Sequence, residues 1–381
     1  MRIALVDSSP KPLIYPLPLL KIGAWRKSIG DECELFISRL PNESEFDQIW
    51  ITTTFTYNIP HSLGMVREAK KRAVVVKVGG VAASLIPAPF EALGVDVHRG
   101  LLEDAEGFAP DYSLLKDKPK YSISHTSRGC LRKCGFCMVH KLEPKFKNRA
   151  GWESDLCPGA TKVLFYDNNW LAKKKDQISH DVEALKGLSK KGIIKEIDFN
   201  QGLDARLMTP EIADMIKGLP IRPVRFAFDG MHEDGYYQRA VRMVAERGFR
   251  DITTYMLYNY QDTPQDFYYR LRETVVLRTE IVGDIASFPM RYQPILEVNK
   301  DRDYVGSAWT LKKARGVNAI LGKHSVSGQV SCRSIKEFEY WFGKDAEEFN
   351  KLLSYPKLRT LMDAKRGYLR AQRSTQNSIS F

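Results

Sequence analysis

The first hundred residues alternate short apolar runs with amphipathic ones, the pattern of strands and helices taken in turn. Arg2–Val6 reads as a buried strand and Leu19–Ser28 as a helix. Cys33–Ile37 and Ile49–Thr54 read as two more strands, and Ala73–Val78 as a fourth leading into Gly79-Gly80. Helical stretches at Ser62–Lys71 and Pro89–Leu93 lie between or after them. Such alternation predicts a parallel sheet with helices on both faces. Ligands in that architecture bind at the carboxyl ends of the strands, which here gather Ser8–Ser9, Thr53–Asn58 and Gly79–Ser84.

Residues 101–120 are charged and punctuated by Pro110 and Pro119, as suits a linker. From Tyr121 the alternation restarts and six strand–helix units are expected. Their strands are Tyr121–His125, Lys162–Tyr166, Lys195–Phe199, Val224–Phe228, Asp251–Leu257 and Asp284–Phe288. Helices are expected between them at Ser179–Leu188, Pro210–Ile216, Gly235–Arg247 and Pro264–Arg278. From about Asp301 the chain reads as mostly helical, clearest at Ile335–Trp341 and Ala346–Leu353, with Arg373–Phe381 expected to be disordered.

Composition changes this picture little and charge changes it more. Hydrophobic content of 43% with 27% charged residues is that of an ordinary globular enzyme. The opening apolar run, interrupted at Asp7, is too short for a signal peptide, and no segment approaches the roughly 18 apolar residues of a membrane span. Six cysteines, three of them on one loop, do not make a disulfide framework, so a reducing, cytoplasmic location without membrane contact is expected. The net charge of +12 is concentrated: residues 116–149 hold ten Lys/Arg against Asp117 and Glu143, and residues 301–381 hold fifteen against eight acids. A basic collar and a basic tail suit an anionic partner such as a nucleic acid, and Lys145, Lys147 and Arg149 are expected to form part of a positive rim.

The chemistry is announced by SRGCLRKCGFCMVH, in which Cys130, Cys134 and Cys137 are spaced C-x3-C-x2-C. Three thiolates can hold three irons of a 4Fe–4S cubane and leave the fourth iron to another ligand. The competing reading is structural zinc with Cys157 as fourth ligand. Structural zinc sites commonly show two paired ligand sets, and no C-x2-C or H-x3-H partner follows. Cys33, Cys157 and Cys332 lack partner spacing and read as small buried hydrophobes.

This spacing, with the aromatic Phe136 before the third cysteine, resembles the signature of the radical S-adenosylmethionine (SAM) enzymes. The first hundred residues resemble the cobalamin-binding-type domain that precedes the barrel in one class of that superfamily. The likeness is carried by the opening strand with Asp7, Ser8, Ser9 and Pro10 at its end, the YPLPLLKIGAW helix, VKVGGVAASL, ALGVDVHRG and APDYSLL. The D-x-H-x-x-G segment that supplies a histidine to cobalt is missing, so both bound cobalamin and a Rossmann-like relic used for docking stay open. The resemblance implies an α/β fold: a Rossmann-like domain (1–115), a radical SAM partial (β/α)6 barrel (116–298) and a basic, mostly helical C-terminal extension (299–381).

What the resemblance implies for the site is specific. Metal ligands would be Cys130, Cys134 and Cys137. The SAM amino group would be received after the second barrel strand, in VLFYDNNWLA, by Asp167, Asn168 and Asn169. Gln201 and Arg206 in DFNQGLDARLM would face the cavity beside Asn200 and Asp204, with Arg206 suited to the SAM carboxylate. Asp229, ending RFAFDG, would meet the ribose or substrate, and Leu257 within Met256–Tyr258 the adenine; Arg291 and Tyr292 are further cavity candidates. The implied activity is reductive cleavage of SAM by the cluster to a 5′-deoxyadenosyl radical that abstracts hydrogen from a substrate, fed by an external flavodoxin- or ferredoxin-like reductant. Two alternatives are kept: a cobalamin-dependent radical SAM methyltransferase, and a non-enzymatic metal-stapled nucleic-acid-binding protein.

Overall fold

The computed structural model describes residues 1–10, 14–42, 45–72, 75–298 and 303–378, with 369–378 described by backbone alone. The chain divides into two compact units. One comprises Met1–Asn168, Lys191–Lys195 and Pro294–Arg302; the other comprises Asn169–Lys190, Glu196–Gln293 and Asp303–Phe381.

The first unit opens with five parallel strands: β1 (Arg2–Asp7), β2 (Glu32–Ile37), β3 (Gln48–Thr52), β4 (Val75–Gly79) and β5 (Asp96–Val97). Their order is β2-β1-β3-β4-β5, so the direction of winding reverses between β1 and β3. That reversal leaves a crevice at the carboxyl ends of the two strands. The expected strand Ala73–Val78 is met from Val75 onward; Ala73 and Val74 lie outside the described residues. Helices Leu17–Ser28 and Ile59–Arg72 cover the sheet. Ala4, Val6, Ile49, Ile51, Val76 and Val78 pack with Ile59, Val66, Ala69 and Phe90 on one face, while Ile3, Leu5 and Leu19 pack on the other. The central strand β1 is buried from Ile3 to Asp7 and reads as an apolar run, whereas β3 and β4 alternate buried with less buried positions.

Further along this unit, β6 (Tyr121–Ser124) pairs in parallel with β9 (Lys162–Phe165). Between them β7 (Ser127–Arg128) and β8 (Lys147–Asn148) form a short antiparallel ladder. The ladder closes residues 129–146 into a lobe, and that lobe holds the three cysteines.

The second unit contains β10 (Glu196–Phe199), β11 (Val224–Ala227), β12 (Asp251–Tyr258) and β13 (Asp284–Arg291), of which the last three form a parallel sheet in the order β11-β12-β13. Their helices start where local chemistry dictates. Thr209 caps Pro210–Ile216, and Thr263 with Asp266 forms a reciprocal capping box opening Pro264–Glu280. Proline occupies the first turn of both, where its missing N–H costs nothing. Four helices follow: Leu311–His324, Ile335–Phe342, Ala346–Leu353 and Leu358–Ser378. The last runs through Arg373–Ser378, where disorder was expected; residues 379–381 lie outside the described residues. No helix among the described residues is long and apolar enough to cross a membrane.

Candidate functional site

In the first unit the cysteine lobe is built on the end of β6. Cys130, Cys134 and Cys137 are each half-buried on an irregular loop, with the Cys137 N–H donating to the Cys134 carbonyl at 3.0 Å. The Arg132 N–H points at the Cys130 sulfur at 3.3 Å. Among the described residues no three His, Cys, Asp or Glu side chains stand together as a metal cage. The three thiols lie on one loop, and what the fold fixes is the base of that loop.

Two carboxylates fix it. Asp167, buried just beyond β9, accepts from the Thr126 N–H (2.9 Å), the Thr126 hydroxyl (2.7 Å) and the Ser127 hydroxyl (2.6 Å). Glu143, at the far side of the lobe, accepts with Oε2 from the Gly129 N–H (2.7 Å) and from Asn168 Nδ2 (2.9 Å). The Arg128 guanidinium lies 3.5 Å from the other oxygen of Glu143 and forks onto Glu106 at 2.9–3.0 Å. Gly129 is obligatory: its φ is +77°, and a Cβ there would sit 2.5 Å from the Lys145 carbonyl oxygen.

Beneath the lobe lies a fully buried carboxylate. Asp155 takes Arg149 at 2.5 and 2.9 Å, Lys21 at 3.2 Å and the Ser124 hydroxyl at 2.7 Å. This corrects the expectation for Arg149. It is not a rim cation but the counterion of a buried acid, with its side chain only 14% exposed. Lys147 is exposed and paired with Glu103 at 2.8 Å, and Lys145 is exposed. Neighbouring His125, buried against Tyr166, is held neutral well below the usual histidine range by burial and by Arg128, Arg149 and Lys21.

The lone cysteines lie apart from the cysteine lobe in sequence, two of them buried. Cys157 and Cys332 are buried and burial pushes both thiols up, Cys332 to about 12. Cys33 is half-buried beside Ile3, Leu5 and Leu19, and its thiol is likewise raised by burial.

The second unit assembles another set at its strand ends. Asn169 Nδ2 donates to Asp204 (3.3 Å), Asp204 accepts from Arg206 Nε (2.7 Å), and Arg206 reaches Glu233 at 3.5 Å. Glu233 accepts from the Asp229 N–H (2.5 Å), and Asp229 Oδ1 accepts from the Leu257 N–H (2.8 Å). Asn169, Arg206, Asp229 and Leu257, expected separately, thus lie on one chain with Asp204 and Glu233, joined by hydrogen bonds and the Arg206–Glu233 ion pair. Burial first, then the Glu233 carboxylate, pushes Asp229 up to about 7. Gln201 stands apart, exposed, with Nε2 3.5 Å from Asn200 Oδ1. Arg291 donates to the Tyr304 carbonyl at 2.9 Å, and Tyr292 stacks edge-on between Tyr260 and Tyr304.

Glu143 and Glu233 went unrecognised in the sequence as site residues. Nothing flags Glu143 among the lysines around it. Glu233 carried one faint signal, a position four residues beyond a strand-end aspartate.

No protein-family model matches the sequence, and no curated protein matches it. Solved structures do. The radical S-adenosylmethionine methyltransferase TsrM from Kitasatospora setae, with cobalamin and a 4Fe–4S cluster bound, superposes with a TM-score of 0.58 at 14% identity, over 77% of each chain. The same enzyme with tryptophan substrate and the SAM analog aza-SAM gives 0.57 at 14% identity, over 76% of this chain and 72% of that one. At such identity the likeness establishes architecture alone, an α/β fold with parallel sheets shared with that methyltransferase.

Proposed function

We propose that the chain is a radical SAM enzyme built from a cobalamin-binding-type domain (1–115), a partial barrel (116–298) and a helical extension (299–381). The observation that carries this reading is the cysteine lobe: three thiols in C-x3-C-x2-C spacing on one loop, its base tied to the ends of two paired parallel strands. The donor set fits the cluster, since three thiolates suit a cubane with one iron left open. Cys130, Cys134 and Cys137 would hold it, with Phe136 next to the third thiol in the chain. The resemblance would give the SAM amino group to Asp167, Asn168 and Asn169, its carboxylate to Arg206 and its nucleoside to Asp229 and Leu257, with Gln201 a further cofactor contact.

Bound together, the cluster and SAM supply one-electron chemistry that removes hydrogen from an unactivated carbon. The chain's own work is to orient and to exclude water. Asp167 anchors the lobe to β9, and the Asp204–Arg206–Glu233 chain fixes the direction in which the guanidinium fork points.

A second reading, a cobalamin-dependent radical methyltransferase, is favoured by the likeness to TsrM, whose structure holds cobalamin. Residues of the sheet crevice fit that group in part. Phe55 and Tyr57 stack at 5.2 Å and 11° while remaining 46% and 42% exposed, an apolar platform just past the carboxyl end of β3. Gly80 closes tightly on Thr52 and Thr53 beside it.

For the substrate, a groove of about 400 Å³ among the C-terminal helices is lined by Lys312, Arg315, Lys357 and Arg359 around Tyr355. Cations flanking an exposed ring suit a single-stranded nucleic acid, whose bases stack and whose phosphates pair.

Anaerobic reconstitution with iron and sulfide tests the whole reading. Wild type should bind a 4Fe–4S cluster and cleave SAM when reduced, and each of Cys130→Ala, Cys134→Ala and Cys137→Ala should lose both, while Cys157→Ala keeps both. Zinc in the wild type, lost in Cys157→Ala, would sink it. Cobalt retained after growth with cobalamin separates the second reading from the first.

A further inference from the structure

Asn168 and Asp167 stand side by side at the end of β9, yet the fold treats them differently. Asp167 is buried, and its oxygens already receive two hydroxyls and a backbone N–H from Thr126 and Ser127. Asn168 gives its NH2 group to Glu143 Oε2 at 2.9 Å. An ionised carboxylate only accepts, so this contact fixes which way the amide lies. A planar amide that turns its NH2 toward Glu143 turns its carbonyl oxygen the other way.

The same Oε2 atom takes the Gly129 N–H at 2.7 Å, one peptide before Cys130. One oxygen therefore ties the start of the cysteine loop to the end of the second parallel strand. The two cannot shift independently without breaking one of those bonds, and Gly129 approaches the Lys145 carbonyl so closely that only a residue without a Cβ fits there. Arg128, held by Glu106, keeps the far oxygen of Glu143 in place.

We infer that Glu143 is a positioning residue: it aims the Asn168 carbonyl oxygen as the acceptor for the SAM ammonium group and locks that amide in register with Cys130. The inference rests on the radical SAM reading above. It moves the ammonium-accepting role from Asp167 to Asn168 and gives Asp167 the work of anchoring Thr126 and Ser127.

Three full-length variants test it: Glu143→Ala, Glu143→Gln and Asn168→Asp. The first readout needs no cofactor. In the metal-free chain, amide hydrogen exchange over residues 129–142 should quicken about tenfold in Glu143→Ala, the usual cost of an orphaned buried partner, and stay within about twofold of wild type in Glu143→Gln, which keeps an acceptor oxygen. The second readout is iron loss to a chelator from anaerobically reconstituted protein, with the same ranking expected. The third is SAM affinity, read from the SAM-induced change in the electron paramagnetic resonance of the reduced cluster.

Asn168→Asp is the sharp case. A carboxylate should hold an ammonium group more tightly than an amide does, if proximity alone mattered. Here it has no N–H for Glu143 and faces a like charge, so SAM binding should weaken about tenfold while iron is retained. Tighter SAM binding in Asn168→Asp, or unchanged exchange in Glu143→Ala, would overturn the inference. A wild type that takes up no cluster would instead overturn the radical SAM reading, and with it the role at SAM. The exchange measurement would then still decide whether Glu143 holds the loop.

Discussion

Asp155 and Asp229 are two shielded carboxylates in different units, and the protein handles them in opposite ways. Asp155 lies fully buried with Lys21 and Arg149 against it and Ser124 donating a hydroxyl. Asp229 receives a backbone N–H from Leu257 and has the Glu233 carboxylate as neighbour, so burial and like charge push it up to about 7. An acid supplied with counterions stays ionised as a structural joint; an acid shielded beside another acid holds its proton to higher pH, even with Arg206 and Arg270 opposing the shift. Perturbed acids of the second kind concentrate where chemistry happens. The contrast separates the joint under the cysteine lobe from the carboxylate pair at the strand ends of the second unit.

The largest effect should come from breaking the joint. Arg149→Ala leaves Asp155 short of a charge in a dry site, which costs about 3–5 kcal/mol when one partner of a buried pair is removed. Urea unfolding of the metal-free chain measures it. A loss below about 1 kcal/mol would place Arg149 with exposed surface pairs and erase the contrast.

Asp229 should reveal itself through pH. Its folded pKa of about 7 lies above the ordinary aspartate value of 3.8, so the folded chain holds this proton longer than the unfolded chain does. That contribution is fully present below about 4 and is lost as pH rises toward 7. Asp229→Asn keeps an acceptor for the Leu257 N–H and removes the titration. Its melting temperature should therefore fall less than that of wild type between pH 4 and pH 7. Parallel curves would make Asp229 an ordinary acid.

The smallest effect belongs to exposed cations, one of which, Arg315, makes a surface pair with Asp303 at 3.3 Å. Changing Lys312, Arg315, Lys357 and Arg359 together to Ala should leave stability nearly unchanged and weaken binding to single-stranded RNA or DNA at low salt. With a log–log slope of about −0.7 per phosphate neutralised, losing the groove should flatten the salt dependence. Equal salt slopes in the two proteins would remove the groove from substrate binding.

Much of this was legible in the chain because it is local. Pro210–Ile216 and Ala346–Leu353 matched to the residue, since Thr209 and Asp345 cap them and the cap and the apolar stripe lie within one turn of each other. The cysteine spacing is equally local. Arg149 was misassigned because its partner Asp155 is one acid among several nearby, and only the burial of both, with Lys21 arriving from the first helix, marks the pair. Glu143 was invisible for a related reason: besides a long contact to Arg128, its partners are a backbone N–H and an amide contributed by β9's far end. Hydrogen bonds to backbone leave no compositional trace. Asp167 was noticed for its type and place, and the three donors that occupy it come from a segment some forty residues earlier.

The Lys21–Asp155 pair also bears on how the chain is made. Lys21 sits on the helix covering the first sheet, with its ammonium buried and its strongest partner supplied only after the entire cysteine lobe. A ribosome that has released the five-stranded sheet has therefore exposed a lysine whose buried position has no carboxylate yet. The carbonyls of Glu106 and Phe108 offer an interim resting place for that ammonium. Its ion pair with Asp155 can form only after that residue emerges, so this contact of the N-terminal helix waits for translation to pass the cysteine-bearing segment.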